Sequence, residues 1–155
     1  MLACFLRHAE AGSHAGSDFD RRLTEPGIEQ AGRVAKFCAR GGIIPDVILS
    51  SPVTRARETA EILSDAFGVG VLEEDWLACG MQPETCLAEL SARAGNRIVF
   101  LVGHEPDLSH IIADLIGIHD PSALKIRKAA LTGVEIAEFH VGCGQLQFFV
   151  PARLM

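Results

Sequence analysis

Arg97-Ile-Val-Phe-Leu-Val-Gly103 is a near-continuous apolar run. Apolar on consecutive positions, it reads as a strand buried on both faces, the mark of a parallel sheet covered by helices on each side. A chain built around such a strand must supply crossover helices, and the remaining segments do. Met1 to Leu6 is a second apolar run, Asp46 to Ser50 a third after Pro45, and Val69 to Leu72 a weaker fourth. Between them lie helical patterns. Thr24-Glu25-Pro26 supplies an N-cap, a first-turn acid and a proline. Ile28, Ala31, Ala35 and Cys38 then recur at helical spacing until Gly41-Gly42. Ser51-Pro52 caps a second helix with Val53, Ala56, Ala60 and Leu63 on its inner face and Gly68 at its end. A third helix runs from Gln82-Pro83-Glu84 to about Arg93, and a fourth from Pro106 to Ile116. Thr132 to His140 and Gln145 to Val150 flank Gly142-Cys143-Gly144 and read as an antiparallel hairpin. The expected fold is a three-layer α/β domain over residues 1–155: a mostly parallel central sheet, helices on both faces, and an antiparallel C-terminal hairpin.

Ligands of open α/β sheets sit beyond the carboxyl ends of strands. The first apolar run delivers Arg7 and His8 there, the second-helix junction delivers Ser51 with Arg55 one turn on, and the central run delivers His104. If these strands are neighbours, four basic groups share one crevice. Arginine forks bind phosphate oxygens bidentately and keep their charge near neutral pH. The helix start at Ser51-Pro52 adds backbone N–H groups and a positive dipole end. A neutral histidine beside a phosphoryl group can attack phosphorus and form a covalent phosphohistidine. His8 is the candidate nucleophile, and His104 a candidate donor to the phosphoryl oxygens that should work best protonated. Taken singly, each residue has a structural use as well: Arg7 can pair with Glu10, Arg55 with Glu58, and His104 can be a satisfied structural histidine.

Composition bounds the alternatives. The formal net charge of −6 argues against a general nucleic-acid surface. No apolar stretch approaches the roughly 20 residues of a membrane span, and Arg7 and His8 interrupt the N-terminal run too early for a signal peptide, so a cytoplasmic location is expected. Cys4, Cys38, Cys79, Cys86 and Cys143 contain no CxxC pair and read as free thiols, mostly buried, in a reducing compartment. His8, His14, His104, His110, His119 and His140 lack compact metal-ligand spacing, so neither a metal nor another cofactor is expected.

At these residues the sequence resembles the histidine phosphatase superfamily, which includes phosphoglycerate mutases and many small phosphatases. Leu6-Arg7-His8-Ala9 is similar to the family signature, and Arg21-Arg22-Leu23-Thr24 with Gly27 to its R-x-L-T-x-x-G segment. Residues 51–60 (SPVTRARETA) are similar to its S-P-x-x-R-A-x-x-T-A block, and Val102-Gly103-His104-Glu105-Pro106 completes the set. The resemblance implies that His8 is the phosphorylated nucleophile. Arg7, Arg55 and His104 would form the phosphate pocket, with Arg21 near its entrance and Ser51 contributing to substrate binding. The short chain, Ala78-Cys79-Gly80 with Pro83-Glu84, and Lys128-Ala129-Ala130-Leu131 most resemble the small SixA-type phosphohistidine phosphatases.

No long insertion follows Trp76, leaving little material for a lid or a general acid. That suits phosphoramidate substrates, because a departing imidazole can be neutral, its conjugate acid having a pKa of roughly 6.5, whereas an alkoxide must be protonated as it leaves. The implied substrate is therefore a protein phosphohistidine. A small-molecule phosphomonoester is the alternative, and a non-hydrolytic phospho-binding module a more distant one. Glu10, Asp18, Glu84 and Glu105 are the carboxylates that could still act as general acid. Ala9 departs from the family's usual glycine, and its methyl group would either crowd the phosphate or require the loop to adjust.

Overall fold

A six-stranded sheet with the order β3-β2-β4-β1-β5-β6 organises the chain. The computed structural model describes residues 1–13 and 16–155; His14, one of the histidines weighed as a metal ligand, lies outside the described residues. β1 (Leu2–Arg7) pairs in parallel with β4 (Ile98–Gly103), which pairs in parallel with β2 (Val47–Ser50), and β3 (Val71–Glu73) continues that half. β5 (Leu131–Ile136) and β6 (Gly144–Val150) form the antiparallel half against β1. β1, β4 and β2 are thus neighbours, as the convergence of their ends requires.

Alternation along β1 and β4 divides the core between two layers. Ala3, Phe5, Val99 and Leu101 face α3 (Pro83–Ala92) and α4 (Asp107–Ile116). Cys4, Leu6, Phe100 and Val102 face α1 (Glu25–Gly41) and α2 (Thr54–Phe67). Four central-strand residues of each kind are fully buried, which is why Arg97 to Gly103 reads as unbroken apolar sequence.

The helix boundaries show what the sequence specifies locally. Thr24 caps α1 by accepting from Gly27 N at 3.1 Å, and Gly42 ends it in the left-handed region at φ 67°. The buried face of α1 is Gly27, Ala31, Val34, Ala35 and Cys38. Ile28 is instead exposed, because the close approach of α1 to the loop after β1 falls at Gly27: a Cβ there would lie 2.0 Å from the Glu10 carbonyl oxygen. α2 also starts later than Ser51-Pro52, at Thr54, since the Ser51 hydroxyl accepts from Val53 N at 3.2 Å and holds a further non-helical turn. The first hairpin strand stops at Ile136, short of His140. Of the cysteines, Cys4, Cys38 and Cys86 are buried free thiols, whereas Cys79 is exposed and Cys143 partly so. Among the described residues, no helix is long and apolar enough to cross a membrane.

Candidate active site

Three strand ends meet at the carboxyl edge of the parallel half. His8 follows β1 directly, and its amide donates to the Gly103 carbonyl at 3.0 Å. The Ser51 amide donates to the Val102 carbonyl at 3.0 Å, so the junctions after β1, β2 and β4 are pinned to one another by backbone. His8 and His104 lie with ring centroids 5.3 Å apart. Arg55, in the first turn of α2, reaches between them and the loop before α1.

His8 is 5% exposed. Its Nδ1 lies 2.8 Å from the Ala9 carbonyl and therefore carries the proton, leaving Nε2 with the lone pair. Arg55 Nε donates to that Nε2 at 3.3 Å, a long contact. Burial, opposed in part by the Ala9 carbonyl and reinforced by His104, Arg55 and Arg7, pushes the His8 pKa down to about 3. The ring is neutral at physiological pH, with one nitrogen oriented and the other unprotonated.

His104 is 2% exposed, and its Nε2 contacts the Ser51 hydroxyl at 2.8 Å. Its Nδ1 is buried without a partner among the described residues. Burial and then the Arg55 charge lower its pKa to about 4, so the free protein holds it neutral. Ser51 is fully buried and committed to His104 and to the turn before α2. Val53, the N-cap of α2, provides no side-chain hydrogen bond, so the first amides of that helix are open to an anion.

The arginines differ in what they already hold. Arg55 is buried, and its Nη1 donates to the Asp18 carbonyl at 2.8 Å and lies 3.2 Å from the Asp18 carboxylate. The same carboxylate is 3.4 Å from Arg21 Nε, so Asp18 bridges the two arginines. Glu58 pairs instead with Arg22 at 2.6 Å and accepts from the Leu23 amide at 2.8 Å, which removes it as a partner for Arg55. Arg7 donates through Nη1 to the Ile126 carbonyl at 2.8 Å, not to Glu10, and its Nε is buried with no partner.

Two residues with positioning contacts escape a reading by charge. Thr59 is fully buried; its hydroxyl donates to the Arg55 carbonyl at 2.7 Å and accepts from the Ala9 amide at 3.1 Å, tying α2 to the segment after β1. Asp107 accepts from the amides of Gly80 at 2.8 Å and Met81 at 3.3 Å, holding the loop before α3 near His104. The Thr59 position within SPVTRARETA was the available signal, whereas Asp107 reads only as a first-turn acid. Ala9 itself is fully buried and packs in the α1/α2 layer, so its methyl group belongs to the core and not to the crevice. Of the other carboxylates, Glu10 accepts from the Thr24 hydroxyl at 3.0 Å, Glu84 is exposed, and Glu105 accepts from the Ser109 hydroxyl at 2.8 Å, with burial raising its pKa.

A three-layer α/β sheet that gathers two histidines and two arginines at the carboxyl ends of its parallel strands has groups suited to holding an oxyanion. The family model of the histidine phosphatase superfamily (branch 1) matches residues 3–78. A phosphohistidine phosphatase SixA homolog of Haemophilus influenzae is 31% identical over 132 residues, spanning 78% of this chain and 80% of that protein. The chain belongs to the histidine phosphatase superfamily. A solved structure of the protein histidine phosphatase SixA complexed with tungstate superposes with a TM-score of 0.90 at 23% identity, over 99% of this chain and 98% of that one. The Agrobacterium tumefaciens protein assigned to the SixA phosphohistidine phosphatases gives a TM-score of 0.83 at 28% identity, over 97% of each chain. Family membership and the likeness to the Haemophilus influenzae and Agrobacterium tumefaciens proteins support phosphatase activity.

Proposed function

We propose that this protein hydrolyses protein phosphohistidine through a covalent phosphohistidine formed on His8. The observation that carries the reading is the state of His8: neutral, with Nδ1–H donated to the Ala9 carbonyl and the Nε2 lone pair turned toward Arg55. A nucleophile of this kind needs no base to activate it. The Arg55 Nε–H at 3.3 Å stands where a phosphoryl oxygen would take it, and Arg7 brings a free Nε–H. In the first step the His8 Nε2–P bond forms as the substrate P–N bond breaks. The departing imidazole keeps the bonding pair and takes a proton from solvent. Water then attacks the phosphorus, releasing inorganic phosphate and restoring His8.

His104 and Arg21 complete the cradle in this reading, with Ser51 positioning His104. A phosphoryl dianion seated beside His104 favours its imidazolium form, so the group that is neutral in the free protein becomes a charged donor once substrate is bound. The carboxylates around the site have other partners: Asp18 the arginines, Glu105 Ser109, and Asp107 the amides of Gly80 and Met81. That arrangement suits a leaving group that needs little acid assistance, which a phosphoramidate provides.

The test is trapping by an alkaline denaturing quench, which preserves a P–N bond, with a phosphohistidine protein and, in parallel, a sugar phosphate. Acid-labile, base-stable phosphate on His8, with faster turnover of the phosphohistidine, is the expected result. Undiminished turnover in His8→Ala overturns the covalent route, and a strong preference for the ester overturns the substrate assignment.

A further inference from the structure

Beside the phosphoryl crevice, at the carboxyl end of β1, lies a cavity of about 370 Å³ whose walls carry Arg7, Arg33, Arg127, Lys128 and Arg153 against one carboxylate, Glu10. Five of the 14 lysines and arginines of the chain gather there, in a protein of formal net charge −6. A local excess of one sign against the overall balance costs self-repulsion unless an anion compensates it, and it raises the local concentration of such anions.

These cations are largely uncommitted. Among the described residues, Arg127, Lys128 and Arg153 form no ion pair. Arg33 approaches Glu29 only to 3.9 Å, and its Nε is buried without a partner. Glu10 is engaged by the Thr24 hydroxyl. They also come from separate elements: Arg33 from α1, Arg127 and Lys128 from the segment before β5, Arg153 from the turn after β6. Arg7 is common to both places, ending β1 in the crevice and lining the cavity, with its Nε buried and unpartnered.

We propose that this cavity receives a second acidic group of the substrate, a carboxylate or phosphate carried alongside the transferred phosphoryl group. The proposal rests on the phosphatase reading and narrows its substrates to polyanions. Arg7 links the two anions, since a guanidinium fork can serve one oxyanion on each edge. Two sources fit the chemistry: acidic side chains flanking a phosphohistidine on a protein, or a second acid on a small phosphate.

The experiment compares wild type with the triple variant Arg127→Ala/Lys128→Ala/Arg153→Ala, whose substituted side chains are all exposed. Two matched substrate pairs are used: a phosphohistidine peptide flanked by glutamates against its glutamine counterpart, and phosphoglycolate against its amide. The wild type should favour the acidic member at least tenfold in kcat/KM in one pair, and the triple variant should lose that ratio. Preference in the peptide pair assigns the protein source; preference in the other assigns the small molecule. No preference in either pair, or a preference that survives the triple substitution, overturns the proposal. If the wild type turns over none of these substrates, the hydrolytic reading fails, and the cavity is tested by calorimetric binding of tripolyphosphate. At least tenfold weaker binding by the variant supports the cavity, and equal binding overturns it.

Discussion

Asp18 places a carboxylate on the guanidinium that a phosphoryl group would use. It bridges Arg55 at 3.2 Å and Arg21 at 3.4 Å, while its own side chain is 67% exposed. An exposed partner contributes little to stability, about 1 kcal/mol or less, because water and salt screen it. Its effect falls instead on binding, since an incoming phosphate must displace it. Asp18→Ala is therefore expected to lower KM about two- to fivefold with kcat preserved, the factor that such a pair corresponds to. Steady-state kinetics check it. A collapse of kcat at constant KM would instead give Asp18 a part in leaving-group protonation and end the account of a competing anion. The alternation of acid and base at this scale was not visible in the sequence: Arg55 has Glu58 three residues along its own helix, whereas its actual partner is 37 positions away on a separate loop.

At the scale of elements, the position of the site depends on two contacts between helices and the segment after β1. Gly27 lets α1 approach Glu10 so closely that any side chain collides with backbone oxygen, which yields far less readily than a flexible side chain. Gly27→Ala should cost roughly 2–3 kcal/mol in denaturant unfolding, the scale of overpacking in a closed interior, and should disturb His8 through Ala9-Glu10. A stability within 0.5 kcal/mol of wild type, as for about any ordinary surface change, would show that α1 can retreat freely. Thr59→Val keeps the shape but leaves the Ala9 amide without its acceptor, an expected loss of about 1–3 kcal/mol by the same measurement, with a fall in kcat as Arg55 and His8 lose their common tie. Much of this layer was legible. Buried strands announce themselves by unbroken apolar runs, and caps such as Thr24 and Gly42 act within a few residues. Local pattern misleads where a distant element decides the outcome. Ile28 keeps helical spacing with Ala31 and Ala35, but the buried slot in that turn belongs to Gly27 because another segment presses there. Ser51-Pro52 carries a helix-start signal, yet the Ser51 hydroxyl serves Val53 and His104, and the helix waits until Thr54. Arg7, His8 and His104 at strand ends and Arg55 in the first turn of α2 could be picked out by position, but their convergence depends on β1, β4 and β2 being neighbours, which the strand order supplies.

For the molecule as a whole, the site makes stability depend on pH. Two buried histidines have pKa values lowered to about 3 and about 4, whereas an unfolded histidine titrates near roughly 6.5. Between those values the unfolded chain binds more protons than the folded one, so unfolding free energy rises with pH across this window and is lost as pH falls below about 6.5. By pH 5 each histidine should remove about 1–2 kcal/mol, a large share of the margin of an ordinary domain. Urea unfolding at pH 7.5 and pH 5 is expected to show the midpoint falling on acidification. The drop should shrink in a His8→Gln/His104→Gln variant, which has no such protons to take up. An oxyanion whose own charge is constant over this range adds the decisive comparison. Sulfate, a dianion at both pH values, favours the imidazolium of His104 when seated beside it and binds the folded state, so millimolar sulfate should protect wild type more at pH 5 than at pH 7.5, and the double variant less at both. Equal protection at both pH values in wild type would mean that the histidines do not face the anion, and the crevice at the ends of β1, β2 and β4 would lose its reading as a phosphoryl site.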